Sequence, residues 1–316
     1  MESSHEVNWD ASIWKEINDA VMEEVLKVRR ATWVIHPMNF NNCPTEIPNE
    51  VINFADLSIH EGLTKNFVEI YQEFSLTHAQ VCKEAEHKTC KTLARMAAKA
   101  IALAEDAYFF QVSDRSPRLR NPDDRQNFKV RLPGGVKISN WNVQRDFGLL
   151  AEANPGQDGA DDNDINKVAV PITVNLAVAN VTSVIWGEET FKAVTKGISK
   201  LVAKGQAPNF ALFLSTDVYA DTFAPPSPAS LVTTADRIKP LVEGGFYDSA
   251  VLPQDEGLLI ALAGEPQKLF VGTDAYTEFI RKEGSKYFFR VVERVQYVVR
   301  DPRSLILLKF TQPQPG

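Results

Sequence analysis

Side chains alternate along Tyr287–Val299. Tyr287, Phe289, Val291, Val295, Tyr297 and Val299 fall on one side, with Glu293 as the one polar intruder, and Arg290, Arg294, Gln296 and Arg300 fall on the other. Period two over this length predicts a long strand with one buried face. Asp301-Pro302 ends it, because proline lacks the ladder N–H and restricts the residue before it. Leu305-Ile306-Leu307-Leu308 follows and is apolar on both sides, which predicts a short strand inside a core.

Helical periods occupy other stretches. Ile13, Ile17, Val21, Val25 and Val28 form a stripe that predicts a helix from about Asp10 to Arg30, with Lys15, Glu16, Asp19, Glu23 and Lys27 opposite. Thr77 to about Ala107 reads as one long alanine-rich helix, with Leu93, Met96, Ala97, Ala100, Ile101, Ala104 and Tyr108 on one face. Glu188–Ala203 reads as a third, with Phe191, Val194, Ile198, Leu201 and Val202 inward, and Asp236–Val242 as a short one stopped by Gly244-Gly245. Phe67–Leu76, Phe210–Leu214 and Gly257–Leu262 read as strands. The stretch 31–66, with Pro37, Pro44 and Pro48, has no clean period, and neither has 111–166, rich in Pro, Gly, Asp and Arg. A long segment with little structure of its own makes sense where a partner chain covers it.

Val168–Gly187 holds no charged residue and is long enough to raise a membrane span. Its Val168, Val170, Ile172, Val174, Leu176 and Val178 alternate with small or polar residues, so it reads as a buried strand. At 316 residues the chain is expected to divide into two subdomains. A net charge of −7 argues against a protein whose main task is holding nucleic acid. Three cysteines, Cys43, Cys82 and Cys90, are too few for a disulfide framework, and MESSHEVNWD lacks the basic and apolar regions of a secretory signal. A cytoplasmic location without membrane attachment is expected.

Catalytic signatures are missing: no Gly-x-Ser-x-Gly, no phosphate-binding glycine loop, no dinucleotide fingerprint and no His-Glu-x-x-His. No enzyme activity of its own and no cofactor are expected. The best chemical candidate is His78, Cys82, Glu86 and Cys90, four apart along the long helix, a set that could hold zinc or copper. One helix aims at most two ligands well, so packing is the plainer reading. Glu84-Ala85-Glu86-His87 supplies one Glu-x-x-His where a di-iron bundle needs two. Asp158–Asp164 lacks the register of a calcium loop and reads as a solvated acidic loop.

The order of these pieces resembles the encapsulins, the linocin-like bacterial shell proteins with the HK97-like phage capsid fold. The resemblance is carried by Trp14-Lys15-Glu16-Ile17, Glu105-Asp106 closing the long helix, Gly148-Leu149-Leu150, Gly244-Gly245, Leu269-Phe270-Val271-Gly272-Thr273-Asp274 and the terminal Leu305–Phe310 run. It implies an α+β fold in four parts: an N-terminal helix and arm over 1–40, an extended loop over 41–66, a peripheral domain built on a long spine helix over 67–185 and 281–300, and an axial domain over 186–280 and 301–316. It further implies a shell subunit that assembles with itself into a closed icosahedral nanocompartment around a cargo enzyme. Ile13, Ile17 and Val21 would then line a groove for the cargo protein's C-terminal targeting peptide. Phe223, Ala224, Pro225, Pro226, Ser227 and Pro228 would line a pore. The alternatives are a prophage-type capsid protein packaging DNA and a soluble metal-dependent enzyme using the His78–Cys90 face. The stretches 115–142 and 152–165 are longer than the family pattern, and the resemblance assigns them nothing.

Overall fold

A computed structural model describes residues 7–40, 44–54, 56–60, 63–110, 134–141, 148–156, 159–175, 186–225 and 231–311. In chain order, helix α1 (Ala11–Val28) leads to strand β1 (Pro37–Asn39) and then to a projecting arm. The arm is two nested antiparallel pairs, β2 (Glu46–Pro48) with β5 (Thr64–Asn66) and β3 (Val51–Asn53) with β4 (Ser58–His60). Strand β6 (Val68–Thr77) returns from it to α2 (His78–Cys82), α3 (Glu84–His87) and the spine helix α4 (Thr89–Phe110). After β7 (Val136–Ser139), α5 (Leu149–Glu152) and β8 (Ile172–Asn175) come α6 (Gly187–Ala203), β9 (Phe210–Ser215), α7 (Thr216–Asp221) and α8 (Thr234–Ile238). Strands β10 (Gly245–Ser249), β11 (Glu256–Ala261), β12 (Gln267–Glu283), β13 (Lys286–Val299) and β14 (Leu305–Thr311) follow among the described residues.

Two five-stranded sheets result, ordered β1-β12-β13-β6-β7 and β10-β9-β11-β14-β8. The alternating stretch becomes β13, central in the first sheet and antiparallel to both β12 and β6. It is tied to β12 by a tight turn in which Gly284 takes φ +58°, a conformation that costs glycine nothing. Tyr287, Phe289, Val291, Val295 and Tyr297 join the core formed with α1 and α4.

The second sheet explains the terminal apolar run. Leu305 and Leu307 join Ala211, Phe213, Leu258 and Ile260 in the first core, while Ile306, Leu308 and Phe310 join Leu212, Leu214 and Leu259 beneath α6. A strand with packed layers on both faces has no use for polar positions. Phe110 at the end of the spine meets Phe213 edge-on, with ring centroids 5.0 Å apart, so the two sheets share one core.

The structure corrects several expectations. All of β12 lies in the first sheet, and β8 belongs to the second, parallel to β14. The long helix starts at Thr89, not Thr77. Lys88 sits at φ +53°, and the Glu84 carboxylate accepts the N–H groups of Cys90 (2.7 Å) and Lys91 (3.0 Å), which caps the spine's first turn. Met96 is 64% exposed, because the buried stripe runs through Ala94, Ala97, Ala98 and Ile101, and Val202 points outward as well.

Candidate assembly surfaces

The N-terminal helix lies along the spine. Lys88 and Lys91 bond Glu16, and Arg95 and Lys99 reach Glu24, so the helix pair is laced by ions along its length. Ahead of the helix, Trp9 stacks on Phe289 (5.4 Å, interplanar 9°) and its Nε1 donates to the Val81 carbonyl at 2.9 Å. Helix α1 is thereby fastened to both the sheet and α2. Ile17 and Val21 point into the chain's own core and are fully buried. They offer no surface to a guest peptide, because the helical stripe they belong to is the one that docks the helix. Ile13 is only partly buried, and Leu26, on the open side, is 56% exposed.

The arm is the most apolar projection. Val51, Leu57, Ile59 and Leu63 are exposed on it, Leu57 at 82%. Its root is firm: Ile47 is buried with Phe67, Phe270 and Val298. Glu50 meets Arg300 at 3.0 Å and Lys268 at 3.8 Å, Ile52 N–H donates to the Arg300 carbonyl, and the Arg303 guanidinium covers the Phe54 ring. A rigid root carrying exposed apolar side chains is built to touch something outside the chain. Sequence reading marked this segment as irregular and missed these residues. Their irregular spacing gives no period to detect, and the cluster of large apolar residues after Pro48 was the available signal.

The expected pore segment is described only through Phe223, Ala224 and Pro225; Pro226, Ser227 and Pro228 lie outside the described residues. Phe223 packs edge-on to Tyr219 (5.1 Å) under the Lys239 ammonium, yet stays partly exposed. Leu231 and Val232 resume the chain fully and half exposed.

The His78–Cys90 set does not form a site. The break at Lys83 and Lys88 splits it over three helices. Cys82 Sγ lies 3.5 Å from His78 Nε2, but His78 Nδ1 is engaged by the Tyr287 hydroxyl at 3.0 Å, Glu86 faces solvent, and Cys90 is buried. Burial pushes the Cys90 thiol well above its usual range, away from the thiolate a metal needs. Among the described residues, no three acidic, histidine or cysteine side chains converge on a point where a metal ion could sit. A cavity of about 290 Å³ opens between the turn after α1 and the β11–β12 link, walled by Trp33, Ile35, His36, Met38, Asn209 and Gln267. Among the described residues, no helix is long and apolar enough to cross a membrane.

Residues 176–296, from the end of β8 to within β13, match the Linocin_M18 family, described as encapsulating protein for peroxidase. The solved virus-like particle from Pyrococcus furiosus superimposes over 94% of this chain and 99% of its own, with a TM-score of 0.61 at 12% identity. The chain has a capsid-type fold. The holo-SrpI encapsulin complex of Synechococcus elongatus matches with a TM-score of 0.51 at 11% identity, covering 88% of this chain and 86% of its own. The capsid of a native GTA particle matches at 0.53 and 15% identity, over 90% and 92%. No curated protein matches the sequence. The chain thus has the α+β capsid fold that the resemblance implied, with α4 as its long helix and β2–β5 forming the arm.

Proposed function

We propose that the chain is the subunit of a closed, symmetric protein shell that encloses a guest enzyme. The family match over 176–296 to encapsulating proteins carries this reading. The capsid fold and the exposed apolar arm support it. In such a shell each copy gives the arm to a neighbour, and the contacts close only by symmetry, as heterologous interfaces must. Chemistry belongs to the guest; the subunit contributes geometry. The loop that begins at Phe223 bounds what crosses the wall, and a guest's apolar C-terminal peptide docks on the open side of α1, at Leu26 instead of Ile17 and Val21. The shell stands free in the cytoplasm.

Electron microscopy of the purified chain tests the reading: uniform hollow particles are expected, and a monodisperse monomer in light scattering rejects it. A second reading, a phage-type capsid packaging DNA, is favoured by the likeness to the GTA particle capsid. The net charge of −7 opposes it. Nuclease-protected nucleic acid inside the particles would decide for that reading, and its absence together with a bound guest protein for the first.

A further inference from the structure

Glu293, the polar residue on the apolar face of β13, belongs to a buried ionic cluster that the shell reading does not use. Four elements meet there. From the end of α1 comes Arg29, whose Nη1 donates to Glu105 Oε1 of the spine at 3.4 Å, with both side chains nearly without exposure. From the spine also comes Asp106, whose two oxygens accept the N–H of Arg30 (2.8 and 3.0 Å) and that of Ala31 (3.0 Å). Glu293 comes from β13, and Asp274 faces the group from the exposed side of β12. The Arg30 side chain points away, stacked on Trp33 and within 3.5 Å of Asp248.

The charges do not balance. One guanidinium faces three fully or nearly fully buried carboxyl groups, with a fourth at the rim. Arg29 Nε, Glu105 Oε2 and Glu293 Oε1 are buried with no hydrogen-bond partner. An unpaired carboxylate in such surroundings takes up a proton instead of staying charged. Burial drives proton uptake in all three, against Arg29 at Glu105 and against the Arg30 and Ala31 N–H groups at Asp106. It pushes Glu293 well up, helped by the neighbouring Glu105 carboxyl; it pushes Glu105 up against the opposing pull of Arg29; and it pushes Asp106 up to about 7.

We propose that Glu105, Asp106 and Glu293 form a proton-controlled joint that clamps the end of the N-terminal helix onto the spine when protonated and releases it as the pH rises. The sign follows from linkage. Each carboxyl is held above its unfolded value, so the native joint binds more protons than the unfolded chain. Its stability is complete below about pH 4 and is lost as the pH climbs through the folded values, near pH 7 for Asp106. Relief of the ionised state needs water in the cluster, and the joint admits it by lifting the Arg29–Ala31 turn, which the Glu105 and Asp106 contacts hold down. The joint lies within one chain and does not rest on the shell reading.

Hydrogen exchange of the full-length protein, followed by mass spectrometry between pH 5 and 9, tests this on the peptide spanning Arg29–Ala31. The expected opening rises about tenfold per pH unit for each carboxyl in titration, beyond the intrinsic rise in chemical exchange. Glu293→Gln, which keeps the shape and removes the charge, should flatten part of that rise. An identical profile in wild type and folded Glu293→Gln overturns the proposal. Should that variant not fold, infrared difference spectra of the wild type decide. A protonated-carboxyl band at pH 6 that fades by pH 9 supports the joint, and no such band overturns it. Particles or monomers in the microscope report separately on the shell.

Discussion

At the scale of residues, neighbouring rungs of one helix pair answer pH in opposite directions. Glu24 of α1 is nearly buried, which alone would push its carboxyl up, but bonds from Arg95 (2.8 Å) and Lys99 (3.3 Å) outweigh burial and hold it below its ordinary value. A depressed carboxyl stabilises above its unfolded value, and that stabilisation is lost as the pH falls through the folded one. Glu24→Gln should therefore cost about 1 kcal/mol at pH 7, since Arg95 and Lys99 remain hydrated, and the difference from wild type in thermal unfolding should vanish toward pH 3. One turn further along, the carboxyls around Arg29 lose stabilisation toward alkaline pH. Packing residues give a larger and pH-independent effect. Phe213 is buried where the second sheet meets Phe110 of the spine. Phe213→Ala should cost about 3–5 kcal/mol in denaturant titration, whereas Val202→Ser, exposed on α6, should stay within about 0.5 kcal/mol.

Elements divide into those whose causes are local and those whose causes are not. The alternation of Tyr287–Val299 and the double-sided run of Leu305–Leu308 were readable, because each strand's neighbours impose its own pattern. The break before the spine was not. Glu84, His87 and Lys88 are acceptable helix residues, and what stops the helix is the Glu84 side chain folding back onto the N–H groups of Cys90 and Lys91. Thr77-His78-Ala79-Gln80 did announce a start. Thr77 and Gln80 cap each other reciprocally, with Gln80 Oε1 2.8 Å from Thr77 N and Gln80 N–H reaching the threonine hydroxyl. Thr77→Ala should cost about 1 kcal/mol and fray α2, with faster exchange at Gln80 as the readout. Strand partners also escaped the sequence. Placing β8 in the second sheet needs contacts with β14 across more than 100 residues, which no local period encodes. The metal candidates failed for the same reason as the single long helix: their common face required a continuous helix that Lys88 interrupts.

At the scale of the whole molecule, the unsettled apolar surface is concentrated where a lone chain gains nothing from it. Apart from Met38 and Met96, both sheets and the spine keep their large apolar side chains largely covered, yet the arm shows Val51, Leu57, Ile59 and Leu63 to the outside from a root pinned by Ile47, Glu50 and Arg300. Residues exposed in the monomer add little to its stability, so their removal separates folding from assembly. Leu57 is the sharper probe because it sits at φ +54°, where aspartate is tolerated better than leucine. The double variant Leu57→Asp and Leu63→Asp should keep the wild-type circular dichroism and a monomer stability within about 1 kcal/mol. It should fail to form particles in size-exclusion chromatography and electron microscopy, because each copy would then bury carboxylates against its neighbour without partners. Intact particles from that variant would mean that the arm is not the contact, and the case for assembly would have to rest on the surface around Phe223 and Leu231.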